Sequence, residues 1–291
     1  MSRRIAVLVN PASGKGRGGR AGARAAARLR AAGLDVRVFV GADGAETVAL
    51  AGQAAQDGYD ALVAVGGDGT VHQVVQALVG SGIPLGIVPA GSGNDFARLV
   101  GLEPHDVDGA VDAVLAGRVR VVDAALANGT NYAGVLSSGF DSMVNDRANR
   151  MTWPKGAMRY NLAILAELRV FRPLPFRITL DGDLLEREAM LVAVGNGTSY
   201  GGGMRVCPGA EVDDGLLSVT VLGRLSKPEF LRVFPKVYSG RHVEHPSVSV
   251  HAAKVVRLEA PGVVAYADGE YVTPLPVTIE CVPGALHVLV P

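Results

Sequence analysis

The segment Ala61-Leu62-Val63-Ala64-Val65-Gly66-Gly67-Asp68-Gly69-Thr70 joins an apolar run to a glycine-rich turn. Its first five residues are typical of a buried strand in a parallel sheet, and residues 71–79 are predicted to form the helix that follows. Glycines permit a sharp turn whose backbone N–H groups, together with the helix N-terminus, favour an anion. Thr70 is predicted to cap that helix. An ordinary strand-to-helix turn is the alternative interpretation.

Further strands and helices alternate around this segment. Apolar runs are found at residues 5–9, 36–40, 85–88 and 119–122. Helical stretches are predicted at residues 19–32, 45–57, 71–79 and 107–116. This alternation predicts an α/β domain with a parallel sheet over residues 1–125.

The pattern changes over residues 126–291, where short β segments are separated by turn pairs such as Asp181-Gly182, Pro261-Gly262 and Asp268-Gly269. The predicted strands are residues 132–136, 176–180, 190–194, 216–222, 255–259, 263–267 and 277–282. They predict a second, mostly antiparallel β-sandwich domain, interrupted by a helix at residues 158–170. For the last strand, about residues 284–291, a position in the sheet of the first domain is left open.

Composition excludes several classes of protein. The chain has 291 residues, of which 48% are hydrophobic and 19% charged, and 28 basic residues balance 28 acidic ones. A net charge of zero gives no general attraction to nucleic acid. Cys207 and Cys281 form no CxxC pair, which argues against a disulfide framework or a zinc knuckle. Two cysteines without such a pattern fit a reducing cytosol, and every apolar run is shorter than the roughly 20 residues of a membrane span, so we expect a soluble, cytoplasmic protein.

Two more loops follow predicted strands. Residues 10–19 follow the first strand and residues 89–96 follow the fourth, and both are rich in glycine. Gly14, Gly16 and Gly19 match GxGxxG, but four residues separate Val9 from the first glycine, which is too far for a dinucleotide fingerprint. Because parallel strands present their carboxyl ends at the same edge, the three loops should converge on one phosphate site. Asp68 lies in one of these loops, and its negative charge would repel a phosphate unless a cation lay between them. Its presence therefore suggests that the nucleotide binds together with Mg²⁺.

The order and spacing of these segments resemble the diacylglycerol kinase catalytic family of lipid kinases, in particular the soluble actinobacterial members. The matching motifs are Asn10-Pro11-x-Ser13-Gly14, Gly66-Gly67-Asp68-Gly69-Thr70 and Pro89-x-Gly91-Ser92-x-Asn94-Asp95-Phe96-Ala97-Arg98. The resemblance continues through residues 140–142, 147–151, 172–177 and 266–270. This chain departs from the family at His72-Gln73, where Asn-Glu is usual, and at Gly41, where Thr is usual.

The resemblance implies two domains with ATP between them and assigns roles to individual residues. Glu270 is the implied general base, and Asp68 is expected to assist it through Mg²⁺. A structural Mg²⁺ is implied at Asp214, with backbone oxygens of Glu211 and Leu216. The implied nucleotide contacts are Asn10, Pro11, Ala12, Ser13, Gly14, Gly66, Gly67, Asp68, Gly69, Thr70 and Ser92.

The predicted function is ATP-dependent phosphorylation of diacylglycerol to phosphatidic acid, by a cytoplasmic enzyme at the inner face of the membrane. The alternatives are another lipid acceptor (phosphatidylglycerol, monoacylglycerol or a sphingoid base), NAD kinase, and a non-catalytic nucleotide or lipid sensor. The expected partners are ATP and a membrane lipid but no nucleic acid, and a homodimer is left open.

Three surface features complete the predictions. The basic and aromatic stretch over residues 147–177 suits docking on an anionic membrane, or it is a packed helix with solvated arginines. Four arginines, at residues 17, 20, 24 and 28, are interpreted as a solvated helical face. His72 is a candidate nucleotide contact, although a polar residue in a first helical turn needs no such role.

Overall fold

The computed structural model describes residues 2–153, 158, 162–164, 166–167 and 172–291. In the first part of the chain, strands β1 (Arg4–Val9), β2 (Asp35–Val40), β3 (Ala61–Gly66) and β4 (Leu85–Pro89) lie in the order β2-β1-β3-β4 and are all parallel. Their aliphatic side chains are almost entirely buried in β1, β3 and β4. Continuous apolar runs therefore mark the central strands, as expected for a parallel sheet covered on both faces.

Three helices connect these four strands and two more follow β4. They are α1 (Ser13–Ala31), α2 (Gly44–Gln56), α3 (Asp68–Leu78), α4 (Asp95–Leu99) and α5 (Val107–Ala116). Helix α1 packs against α5, whereas α2 packs against α3. The first turn of α1 is irregular, because Gly14, Lys15 and Gly16 all have positive φ, so the regular helix starts only after them. The predicted α/β fold is confirmed, and its helix boundaries differ from the predicted ones by a few residues.

The rest of the chain is mainly antiparallel. Its strands are β5 (Val119–Ala127), β6 (Thr130–Tyr132), β7 (Val135–Gly139), β8 (Leu174–Leu180), β9 (Asp183–Gly195), β10 (Leu217–Gly223), β11 (Val248–Ala253), β12 (Val255–Glu259), β13 (Val264–Ala267), β14 (Glu270–Pro274) and β15 (Val277–Leu289). A second hydrophobic core, distinct from that of the first sheet, is built mainly from their buried side chains. The predicted antiparallel second part is thus confirmed, although β11 and β14 were not predicted and the strand predicted at residues 132–136 covers the end of β6 and the start of β7.

Strand β15 physically links the two parts. Residues near its start pair with β12, while Val288 near its end pairs in parallel with Leu85 of β4. Strand β5 runs antiparallel to β15 along most of its length. The prediction that residues 119–122 belong to the parallel sheet was therefore wrong, because the returning C-terminal strand takes the place beside β4.

Helices also cover one end of the second part. Helix α6 (Phe140–Arg150) and helix α7 (Lys227–Val233) share a small hydrophobic cluster, and two 3₁₀ turns follow at Phe234–Ser239 and Arg241–Glu244. Most of the helix predicted at residues 158–170 lies outside the described residues. Within the described part of the chain, no helix has the length and hydrophobicity needed to cross a membrane.

Candidate active site

Gly67 is the point at which three loops touch. A Cβ atom on Gly67 would lie 2.9 Å from the Cα of Gly91 and 3.5 Å from the Oγ of Ser13. Gly91 follows β4 and Ser13 follows β1, so the loops at the ends of three neighbouring strands come together. Such close backbone contact requires glycine, because a side chain here would push the loops apart.

The first loop is tied to helix α3 by side chains. Asn10 donates from Nδ2 to the Oγ1 of Thr70 at 3.1 Å, and its Oδ1 accepts from the backbone N–H of Ala12 at 3.1 Å. Thr70 is buried inside the first turn of α3, whose N-cap residue is Gly67. The prediction that Thr70 caps the helix was therefore wrong, since its hydroxyl points to the Asn10 loop.

Arg17 joins the first loop to the third. Its guanidinium donates to the carbonyl oxygen of Gly14 at 2.9 Å and to that of Gly91 at 3.2 Å. Further along α1, Arg24 and Arg28 form ion pairs with Asp108, which lies in α5. These arginines lie at the surface, as predicted, and Arg24 is 62% exposed, but they also connect α1 to the rest of the first domain.

The Asp68 carboxylate connects the second loop to the third. It accepts hydrogen bonds from the backbone N–H groups of Asn94 and Asp95, each at 2.6 Å. Burial raises the pKa of Asp68 above its ordinary value of 3.8, and the nearby charge of Asp95 raises it further, while the backbone N–H donors oppose both effects. Asp68 is thus a partly buried carboxylate beside a second one, an arrangement that a cation would stabilise.

Glu270 faces the second loop from the other part of the chain. Its Oε1 lies 3.0 Å from the position that a Cβ on Gly69 would occupy. The residues before it, Asp268 and Gly269, form a tight turn between β13 and β14 in which both have positive φ, as in the favoured hairpin turns. The Glu270 side chain is exposed, so it is accessible to a substrate that enters beside Gly69.

The Asp95 carboxylate, which lies in the first part of the chain, is hydrogen-bonded to the second part. Its oxygens accept from the backbone N–H groups of Gly202 and Gly203 at 2.7 and 2.6 Å, and the residue is only 6% exposed. Gly201, Gly202 and Gly203 all have positive φ. Sequence analysis named Asp95 only as part of a motif, and the glycines at residues 201–203 lie too far along the chain to be recognised as its partners.

His72 contacts the glutamate-bearing turn. Its Nδ1 lies 3.5 Å from the Oδ2 of Asp268, and both side chains are largely buried. The structure therefore gives His72 a protein neighbour in the second domain, whereas sequence reasoning considered a nucleotide contact. Of the other predicted residues, Ser92 is exposed at the third loop, and a Cβ on Gly41 would lie 2.4 Å from the Oγ1 of Thr47.

The candidate structural metal site lies apart from these loops. Glu211, Asp214 and Leu216 line one cavity of about 240 Å³. Asp214 Oδ1 accepts from the Leu216 N–H at 2.9 Å. Asp123, which sequence reasoning missed, is buried and accepts from the Gly215 N–H at 2.7 Å. Within the described residues, no three His, Cys, Asp or Glu side chains converge as a metal cluster.

Two family models match this chain. The model of the diacylglycerol kinase catalytic domain matches residues 4–127. The model of the YegS C-terminal NAD kinase beta sandwich-like domain matches residues 134–290. The two matches divide the chain between β5 and β7, so β5 belongs to the first match although it pairs with strands of the antiparallel part.

Similar proteins extend over the whole chain. A diacylglycerol kinase from Mycobacterium tuberculosis (strain ATCC 25618 / H37Rv) is 45% identical over 99% of this chain and 95% of that protein. One from Bacillus subtilis (strain 168) is 27% identical over 99% of this chain and 97% of that protein. The crystal structure of a diacylglycerol kinase from Bacillus anthracis str. Sterne is 25% identical, covers 100% of this chain and 97% of that chain, and has a TM-score of 0.79. An NAD kinase from Archaeoglobus fulgidus in complex with ATP has a TM-score of 0.57 at 14% identity, over 98% of this chain and 93% of that one.

Proposed function

This chain belongs to the diacylglycerol kinase family, and we propose that it transfers the γ-phosphoryl group of ATP to the free hydroxyl of diacylglycerol, giving phosphatidic acid and ADP. The observation that carries this proposal is the position of Glu270, whose Oε1 lies 3.0 Å from the Cβ position of Gly69. A carboxylate from one part of the chain thereby faces the glycine loops of the other, which is the arrangement that phosphoryl transfer to a hydroxyl requires.

The three glycine loops are the proposed nucleotide site. Backbone N–H groups at the carboxyl ends of parallel strands favour phosphate, and Gly67 brings the loops within contact of each other. The proposed contacts are Asn10, Pro11, Ala12, Ser13, Gly14, Gly66, Gly67, Asp68, Gly69, Thr70 and Ser92. Asn10 and Thr70 bond to each other, so they act by fixing the shape of the loops around the phosphates.

The residues around Asp68 fit a divalent cation. Asp95 lies close enough to Asp68 that its negative charge raises the pKa of Asp68, and an adjacent cation would relieve this repulsion. When bound, Mg²⁺ supplies positive charge that neutralises the phosphoryl group during transfer. Asp68 is the proposed protein group that assists it.

Glu270 is the proposed general base. As the lipid hydroxyl oxygen forms its bond to the γ-phosphorus, the bond from that phosphorus to ADP breaks and the hydroxyl proton passes to the Glu270 carboxylate. A positioned base of this kind contributes roughly 10²–10⁴-fold to a rate. The exposed position of Glu270 at the start of β14 supports this role, because the lipid headgroup can reach it from solvent.

Asp214 is proposed to hold a structural Mg²⁺ with the backbone oxygens of Glu211 and Leu216. All three residues line the same cavity, and Mg²⁺ commonly keeps several waters while it binds few carboxylates. The Leu216 N–H occupies only one of the Asp214 oxygens, so the other oxygen is available to a cation.

Peripheral membrane docking is proposed for the surface around residues 147–177. Trp153 is 77% exposed and Met158 is 59% exposed, and exposed apolar side chains of this size insert readily at an interface. However, Arg147, Arg150 and Arg177 form ion pairs with acidic residues, which weakens their attraction to anionic lipid. Binding to vesicles of neutral and anionic lipid at low and high salt would separate the apolar from the electrostatic contribution.

Labelled ATP offered in parallel with several acceptors tests the proposed function. The acceptors are diacylglycerol, monoacylglycerol, phosphatidylglycerol, a sphingoid base and NAD. We expect labelled product with diacylglycerol. Product with another lipid alone would support lipid kinase activity but show that diacylglycerol is not the substrate. Product with NAD would contradict the proposed lipid substrate. The absence of product with every acceptor would favour a nucleotide or lipid sensor.

A further inference from the structure

Helix α3 presents three residues to the second part of the chain from one face. Gly69, His72 and Gln76 are separated by three and four positions, and residues at this spacing share one side of a helix. Each has a neighbour across the boundary between the two parts. Gly69 faces Glu270 and His72 faces Asp268, and Gln76 bonds to both the N–H and the carbonyl oxygen of Asn131.

Asp268 is held rigidly on its other side. Its carboxylate accepts backbone N–H bonds from Gly134 at 3.1 Å and Val135 at 3.0 Å, and its own N–H donates to the carbonyl oxygen of Val135. The residue has a φ of 52°, a conformation that non-glycine residues adopt only when the surroundings favour it. The turn that carries Glu270 is therefore fixed through the Asp268 side chain.

His72 approaches the other oxygen of this carboxylate, Oδ2, which also accepts from the backbone N–H of Ala133 at 3.3 Å. The residue is 7% exposed, and its Nδ1 has no hydrogen-bond partner among the described residues although Asp268 Oδ2 lies 3.5 Å away. A movement of about 0.5 Å would bring these two atoms to hydrogen-bond distance. An unpaired buried nitrogen is costly, so this neighbour is the natural partner of the imidazole.

We propose that His72 is a positioning residue for Glu270: it links α3 to Asp268 and so fixes the distance between the second glycine loop and the base. This inference rests on the proposed role of Glu270. His72 touches the turn that presents the base, and it acts on the reaction only through that turn.

The test replaces His72 by phenylalanine, which supplies an aromatic ring without polar atoms, and by asparagine, whose side-chain amide can donate an N–H to Asp268. For His72→Phe we expect kcat to fall by about tenfold or more, since a misplaced group at a reacting centre can cost about 10²-fold, while KM for ATP stays within about twofold. His72→Asn should recover part of the loss. The matched control is His245→Phe, at a histidine outside the loops and the turn, and it should leave both constants unchanged.

Two kinetic outcomes would overturn the proposal: an unchanged kcat in His72→Phe, or a raised KM for ATP with kcat preserved, which would indicate a nucleotide contact. If His72→Phe does not fold, His72→Ala replaces it under the same criteria.

Amide hydrogen exchange over residues 264–274 supplies a readout that does not depend on activity. Exchange should be faster in His72→Phe than in wild type and in His245→Phe. If exchange is faster in His72→Phe but wild type phosphorylates no acceptor, the proposed function is refuted, whereas the link between His72 and the turn is supported. Unchanged exchange would refute the link itself.

Discussion

The backbone N–H of Gly203 donates to the Oδ1 of Asp95 at 2.6 Å, across a sequence separation of 108 residues. The adjacent Gly202 donates to the other oxygen of the same carboxylate at 2.7 Å. Asp95 opens α4 directly after the third glycine loop, so this pair of bonds joins the loop to the antiparallel part of the chain. The two parts of the chain are therefore in contact on both sides of the candidate site, through Asp95 on one side and through helix α3 on the other.

Replacing Asp95 by asparagine should loosen this connection. An amide group turns an N–H donor toward one of the two glycine N–H groups, so one buried bond is lost. We expect the free energy of unfolding to fall by about 1–3 kcal/mol, with faster amide exchange at residues 201–203. Urea unfolding and hydrogen exchange measure the two effects, and the exposed Asp183→Asn is the control. Equal stability of Asp95→Asn and wild type would contradict the linking role.

A Cβ on Gly67 should separate the glycine loops. It would lie 2.9 Å from the Gly91 backbone, and overpacking of this kind typically costs about 1–3 kcal/mol. We expect KM for ATP to rise by about tenfold in Gly67→Ala. Gly52→Ala is the matched control, because Gly52 lies within α2 and its added Cβ would only reach the Cβ of Ala77 at 3.9 Å. An unchanged KM in Gly67→Ala would argue against nucleotide binding at these loops.

The local sequence predicted where strands lie along the chain better than it predicted which strands pair with each other. The apolar runs of β1, β3 and β4 are continuous because these strands are buried on both faces, and each was located to within a residue or so. Strand β11 was missed because only its end residues, Val248 and Ala253, are buried, and the polar residues between them, among them His251, leave no apolar run. Strand β5 was assigned to the wrong type of sheet, because only the position of β15 decides its partner.

The same limit applies to the site. The glycine loops were visible because turn chemistry is local, and Asp268-Gly269 was correctly predicted as a hairpin turn. The bonds of Asp95 to Gly202 and Gly203 could not be predicted, since they depend on how the two parts of the chain meet. Gln76 offered one weak signal, because it lies at helical spacing from Gly69 and His72 on α3.

Glu270→Gln should separate binding from chemistry. The amide keeps the shape of the side chain but cannot take a proton at neutral pH, so we expect ATP affinity within about twofold of wild type and turnover reduced by about 10²-fold or more. Calorimetric ATP titration and a labelled-phosphate assay measure the two quantities. Glu280→Gln, an exposed glutamate in β15, serves as the control. Comparable turnover in Glu270→Gln would remove this residue from the role of base.

The raised pKa of Asp68 predicts a direction for the effect of pH on stability. The folded state holds the proton more tightly than the unfolded chain, whose pKa is near the ordinary 3.8. As pH rises from 3.8 through the folded-state pKa, the contribution of Asp68 to stability must therefore fall. The difference in unfolding free energy between wild type and Asp68→Asn, measured in chelator, should decrease across this window and level off above it. A difference that increases with pH would contradict the burial of this carboxylate.

Asp214 and its neighbour Asp213 offer a matched pair for the proposed structural Mg²⁺. Asp213 pairs with Arg120 at 2.8 Å, whereas Asp214 lines the cavity with Glu211 and Leu216. At ten times its dissociation constant, a bound ion stabilises the folded state by about 1.4 kcal/mol, which corresponds to a rise of roughly 3 °C in Tm for a chain of this size. Wild type and Asp213→Ala should both show this rise on addition of Mg²⁺, because the Asp214 carboxylate that lines the cavity is present in both proteins. Asp214→Ala should melt at the same temperature with and without the ion, and an equal Mg²⁺ response in all three proteins would exclude Asp214 as a ligand.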